Sequence, residues 1–156
     1  MSIKAIAVFD NKKIKGIVKF TQVDSSSSVR IDIEIYGLGK NKYHGFHVHE
    51  YGDMSEQCTS MCNHFNPFNK THGGPDSRER HVGDLGNIQS DANGCAKYTF
   101  YDKMIKLRGT KSNIIGRGLI IHADEDDLGL GGQPDSLTTG HAGARIACAV
   151  IGYARK

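Results

Sequence analysis

Val29-Arg30-Ile31-Asp32-Ile33-Glu34-Ile35-Tyr36 sets a β-branched apolar residue at every second position, with polar or amphipathic residues between. Successive side chains of a strand point to opposite faces, so this period of two describes a half-buried antiparallel strand. Working outward, shorter runs of the same kind occupy residues 4–9, 16–23, 43–49, 95–101, 104–107, 116–122 and 147–152. Eight strands with no helical periodicity predict an all-β fold, an antiparallel sandwich or flattened barrel. Asp10-Asn11, Ser25 to Ser28 and Asp91-Ala92-Asn93-Gly94 carry turn chemistry. Residues 50–82 and 123–144 are long, Gly-rich and poor in alternation. Loops of that length inside a compact domain are usually functional.

At 156 residues the chain is expected to be one domain, 1–156, with a core large enough to need no cross-links. Nineteen glycines and no tryptophan suit many turns and short strands rather than a helical bundle. The net charge is only +3, and the densest basic cluster, Lys12-Lys13 with Lys15, sits beside a turn. No nucleic-acid role is expected from so small and scattered a charge. No apolar stretch is long enough to span a bilayer, and Met1-Ser2-Ile3-Lys4 runs directly into a strand pattern, so a soluble, cytoplasmic protein without a membrane role is expected. The four cysteines would ordinarily be reduced in that compartment.

The chemistry lies in His47-Val48-His49, His64, His72, His81-Val82-Gly83-Asp84 and His122. On a strand His47 and His49 share one face while Phe46 and Val48 share the other, so one face can bind metal and the other can pack. Imidazole suits copper and zinc, and three imidazoles with one carboxylate make a set that tetrahedral zinc accepts. Seven ligands for two four-coordinate ions imply sharing, which an imidazole with two nitrogens can provide.

The stretches around these residues, Gly45-Phe46-His47-Val48-His49-Glu50, His64-Phe65-Asn66-Pro67, His72-Gly73-Gly74-Pro75, Glu79 to Asn87 and Gly140 to Cys148, together closely resemble the copper-zinc superoxide dismutase family. The resemblance runs from about Lys4 to Gly152. It implies a Greek-key arrangement of the eight strands and one copper and one zinc ion per chain. Copper would be held by His47, His49, His64 and His122, and zinc by His64, His72, His81 and Asp84, with His64 shared. Asp126 would link a copper histidine to a zinc histidine, here His47 and His72. Cys58 and Cys148 fall at the family's disulfide positions, leaving Cys62 and Cys95 free. His44 matches a structural histidine, and His141 stands where asparagine is common.

The implied activity is dismutation of superoxide, one molecule leaving as dioxygen and a second as hydrogen peroxide. Arg145 would dock the anion, and His64 would pass a proton to the forming peroxide. A homodimer is implied, with Ile6, Val8, Gly52, Ile115 and Tyr153 at interface positions, Tyr153 departing from the usual smaller aliphatic residue. A copper chaperone is a possible partner. The alternative is an inactive superoxide dismutase-like protein that engages such a chaperone; it would be expected to have lost a copper ligand or Arg145, and all are present. In Gln133-Pro134-Asp135-Ser136-Leu137-Thr138 one acid and one lysine of the usual steering charges are missing, and Leu130 replaces another frequent lysine. Met54, Met61 and Cys62 precede His64 and offer soft sulfur for Cu(I).

Overall fold

The segment Val29–Tyr36 forms a strand that buries Val29, Ile31, Ile33 and Ile35 and turns Arg30, Glu34 and Tyr36 to solvent. In the computed structural model, which describes residues 1–156, it is the third of nine strands. These are β1 (Ile3–Asp10), β2 (Lys15–Gln22), β3 (Val29–Tyr36), β4 (Tyr43–His49), β5 (Asp84–Gln89), β6 (Ala96–Asp102), β7 (Gly118–His122), β8 (Arg145–Val150) and β9 (Gly152–Tyr153). A single 3-10 turn, Thr59–Met61, interrupts the first long loop.

Two antiparallel sheets result, ordered β6-β3-β2-β1-β9 and β5-β4-β7-β8. The chain leaves β3 for the second sheet, makes β4 and β5, and returns as β6 to pair with β3. It then crosses again to place β7 beside β4, so the connections are Greek-key in kind. Phe9, Val18, Phe20, Ile31 and Ile35 from one sheet meet Phe46, Val48, Leu119 and Ile121 from the other in a single core. Each such side chain, fully buried, contributes roughly 1.5–3 kcal/mol through the hydrophobic effect.

The strand count is nine rather than eight, and two assignments change. Residues 104–107 form no strand: Ile105 and Leu107 are buried, but the Leu107 amide donates to the Gln22 side chain and only an isolated bridge joins Lys106 to Asn113. Alternation there reports burial without sheet pairing. Conversely, β5 was not anticipated, because its Asp84-Leu85-Gly86-Asn87 sequence has a glycine at a positive φ of 81° where an alternating residue would stand. β9 is only two residues, β7 starts two residues later than expected and ends at His122 as expected, and β8 lies two residues earlier than its expected range.

β4 from His44 onward and all of β7 are buried on both faces. One face meets the core; the other is roofed by residues 50–83 and 123–144, the two long loops. The roof is pinned by backbone hydrogen bonds, Phe65 N–H to Val48 O at 2.8 Å, Gly83 N–H to Phe65 O at 3.0 Å and Val48 N–H to Gly83 O at 2.9 Å. Gly83 is required here, since a Cβ would collide with the Val48 carbonyl. The Cys58–Cys148 disulfide ties the first loop to β8 across 90 residues of sequence. Closing so long a loop contributes on the order of 4–5 kcal/mol by constraining the unfolded chain.

Candidate metal centre

His47 and His49 project from β4 away from Phe46 and Val48, into the space under the loops. His122 ends β7 alongside them, and His64 is brought against His49 by an isolated antiparallel bridge. Ligating atoms of these four residues lie within 4.8 Å of one another, and all four are buried. Four ring nitrogens in this group, His47 Nδ1, His49 Nε2, His64 Nε2 and His122 Nε2, are buried without any hydrogen-bond partner. Such orphans are costly in a folded protein. A cation at their centre satisfies all four at once.

In three of these rings the opposite nitrogen is held by an oxygen acceptor: His47 Nε2 by Asp126 at 2.6 Å, His49 Nδ1 by Cys62 O at 2.8 Å and His122 Nδ1 by Gly143 O at 3.1 Å. These contacts fix the ring tautomer and aim the free lone pair inward. The fourth ring turns its other nitrogen into a second cluster. His64 Nδ1 lies 3.2 Å from both His72 Nδ1 and His81 Nδ1 and 2.9 Å from Asp84 Oδ1, while His72 and His81 approach the same oxygen at 3.0 and 3.1 Å. Imidazole nitrogens converging on one another repel, whether they bear protons or lone pairs. Donors at about 2.0 Å from a tetrahedral ion stand about 3.3 Å apart, so this spacing suits zinc. Asp84 is held in place from behind, its Oδ2 accepting from Gly73 and His81 amides at 3.0 and 2.8 Å.

Asp126 joins the clusters. It is 1% exposed, and its two oxygens meet His47 Nε2 at 2.6 Å and His72 Nε2 at 2.8 Å. Gly140 makes this possible: a Cβ there would strike both Asp126 Oδ1 and His72 Nε2. Asn87 on β5 clamps the Asp126 backbone reciprocally, its Oδ1 accepting from the amide at 2.7 Å and its Nδ2 donating to the carbonyl at 3.0 Å.

Burial pushes His47, His49 and His122 below the ordinary histidine range, and burial is also the main reason His64 falls to about 4. Neutral imidazole is the metal-binding form. His72 goes the other way: burial opposes its charge, but hydrogen bonds to Asp126 and Asp84 outweigh it and raise His72 to about 9. Burial would raise Asp84, yet the three facing histidines hold it far below the usual carboxylate range.

Arg145, at the start of β8, donates to Cys58 O at 2.8 Å and to Cys62 O at 2.5 Å. Together with His49, His64 and His122 it lines an open cleft of about 920 Å³. Among the other residues singled out, His44 donates to the His122 carbonyl at 2.8 Å and joins neither cluster. His141 is exposed, its Nδ1 2.6 Å from Asp135 Oδ1 at the cleft rim. Met61 is fully buried against Ile120 and Cys148, so it packs rather than presenting sulfur, whereas Cys62 is free and exposed. Two supporting residues carry no local signal. Asn87 meets a partner 39 residues away. Arg80, 2% exposed, donates to Pro75, His81 and Val82 carbonyls and to Asp102, anchoring the loop between His72 and Asp84 to the end of β6.

A family model described as copper/zinc superoxide dismutase matches residues 14–151. A Cu-Zn superoxide dismutase of Paramecium bursaria Chlorella virus 1 is 62% identical over 99% of this chain and 80% of its own length. One from Candida albicans is 53% identical over 96% of this chain and 97% of its own. The crystal structure titled as the clock protein EA4 superposes with a TM-score of 0.92 at 45% identity, covering 97% of this chain and 94% of that one. With the two clusters, the cleft and nearly the full length in agreement, the chain belongs to the copper/zinc superoxide dismutase family, whose metals are copper and zinc.

Proposed function

We propose that the chain dismutates superoxide to dioxygen and hydrogen peroxide, using copper held by His47, His49, His64 and His122 and zinc held by His64, His72, His81 and Asp84. The carrying observation is the set of four orphaned imidazole nitrogens beside an arginine-lined cleft, backed by a second four-donor cluster that shares His64. Copper supplies one-electron exchange with superoxide when bound, while zinc, which has no redox chemistry, supplies charge and loop order. The Arg145 guanidinium, oriented by two carbonyls, docks the small anion by charge-assisted hydrogen bonds. His64 Nε2, when it does not bind copper, is the atom at which a proton would be held and passed to the reduced product. Asp126 keeps His47 and His72 in their tautomers. Reconstitution should give one copper and one zinc per chain, with dismutation lost on copper removal. A fully metallated but inactive protein would instead favour the chaperone-engaging reading, which no missing ligand supports.

A homodimer is also proposed. Val8, Tyr51, Val150 and Tyr153 are exposed apolar or aromatic residues near Ile6, Gly52 and Ile115 at the β1–β9 edge and the adjoining loops. Sedimentation showing only monomer at micromolar concentration would overturn it. A cytoplasmic location is proposed from the exposed free thiol of Cys62, which a reducing compartment preserves, with the Cys58–Cys148 disulfide as an exception to the usual reduced state there. There a copper chaperone is the proposed source of copper, and fractionation together with metal content in chaperone-deficient cells tests both.

A further inference from the structure

At the end of the sandwich, between the β1–β2 and β3–β4 turns, lies a second pocket of about 530 Å³. Its rim carries Lys12, Lys13 and Lys42, and its walls include Ile14, Leu38 and Ile146. No carboxylate lies within ion-pairing distance of Lys12 or Lys13, and Lys42 has only a loose partner in Asp124 at 3.7 Å. No acidic residue lines the pocket.

His44 is part of the lining, is 2% exposed, and leaves Nε2 buried without a partner while Nδ1 donates to the His122 carbonyl. Gly39 keeps space beside that nitrogen: a Cβ there would sit 3.7 Å from His44 Nε2 and 3.1 Å from Lys42 Cδ. The pocket therefore combines excess positive charge, one unsatisfied polar atom and an apolar wall. It is separate from the metal clusters, to which His44 contributes no ligand atom.

We propose that this end pocket binds a phosphate monoester, with the phosphate among Lys12, Lys13 and Lys42 and a small organic group against Ile14, Leu38 and Ile146. The choice of phosphate follows from the donors. Three lysine ammonium groups at one rim call for a multiply charged anion with several oxygens, which an ionised phosphate monoester offers. The volume exceeds what one inorganic phosphate fills, which favours an ester over the free ion.

The test uses reduced, copper- and zinc-loaded protein, which is diamagnetic, and follows amide and imidazole NMR signals. Phenyl phosphate should shift Lys13, Lys42 and His44 signals saturably, inorganic phosphate should do so more weakly, and chloride at matched ionic strength should not. The Lys13→Gln/Lys42→Gln double variant, remote from the metal ligands, should weaken phenyl phosphate binding about tenfold or more. Gly39→Ala, which narrows the space at Nε2, should weaken it with dismutation unchanged. Shifts that are linear and equal to those with chloride, that map only to Arg145 in the catalytic cleft, or that persist in the double variant would overturn the proposal.

Discussion

His64 is the residue on which both clusters depend, because its two nitrogens face different ones. His64→Ala should keep the sandwich, whose core it does not enter, but lower dismutation at least about tenfold and loosen zinc. Normal activity with both metals bound would remove the shared-ligand assignment. His72 supplies a pH signature. Its pKa is raised, to about 9, so the metal-free protein holds a proton there at neutral pH that zinc must displace. Apparent zinc affinity should thus rise about tenfold per pH unit from neutrality and level off above about 9, with about one proton released per ion at pH 7. Calorimetry in buffers of different ionisation enthalpy reads that proton directly. The residues that the fold gathers into the two clusters were legible as candidates, since strand alternation places His47 beside His49 and the flanking motifs carry the rest. Asn87 and Arg80 were not, because what makes them important is a partner far along the chain.

Among the elements, β3 was legible because one face is wet and the other dry. β7 lacks that contrast, being buried throughout, and its strand character shows only as an apolar run ending in His122. β5 hid behind Gly86, and residues 104–107 imitated a strand through burial alone. The loop bearing the zinc-side donors is held by Arg80, whose guanidinium meets Asp102 at 2.8 Å with both side chains buried. Asp102 in turn accepts the Met104 and Ile105 amides. Replacing Arg80 with Met would strand a buried carboxylate and free three loop carbonyls, costing roughly 3–5 kcal/mol. Chemical denaturation of Arg80→Met should report that loss together with weakened zinc retention. A cost below about 1 kcal/mol would show that the loop is held by other contacts.

For the whole molecule, the anion's approach depends on the charges around the cleft. Asp135 is engaged by His141 and Thr139, Leu130 and Leu137 are exposed, and the uncharged Thr138 lines the cleft. Arg145 remains the fixed cation within the cleft lining, apart from Lys70 at its edge. Charges beyond a Debye length of about 10 Å in 0.1 M salt are screened. Thr138→Lys should therefore raise the low-salt rate and steepen its fall with ionic strength, whereas Arg145→Ala should lower the rate at all salt concentrations. Equal salt slopes for wild type and Thr138→Lys by pulse radiolysis would contradict this account of steering. The central claim, two different metals on either side of one imidazole, is tested most directly by anomalous diffraction from crystals of the loaded protein at the copper and zinc edges. The account predicts a copper peak beside His64 Nε2 among His47, His49 and His122, and a zinc peak beside His64 Nδ1 among His72, His81 and Asp84. A single shared peak, or either metal lying away from His64, would contradict it.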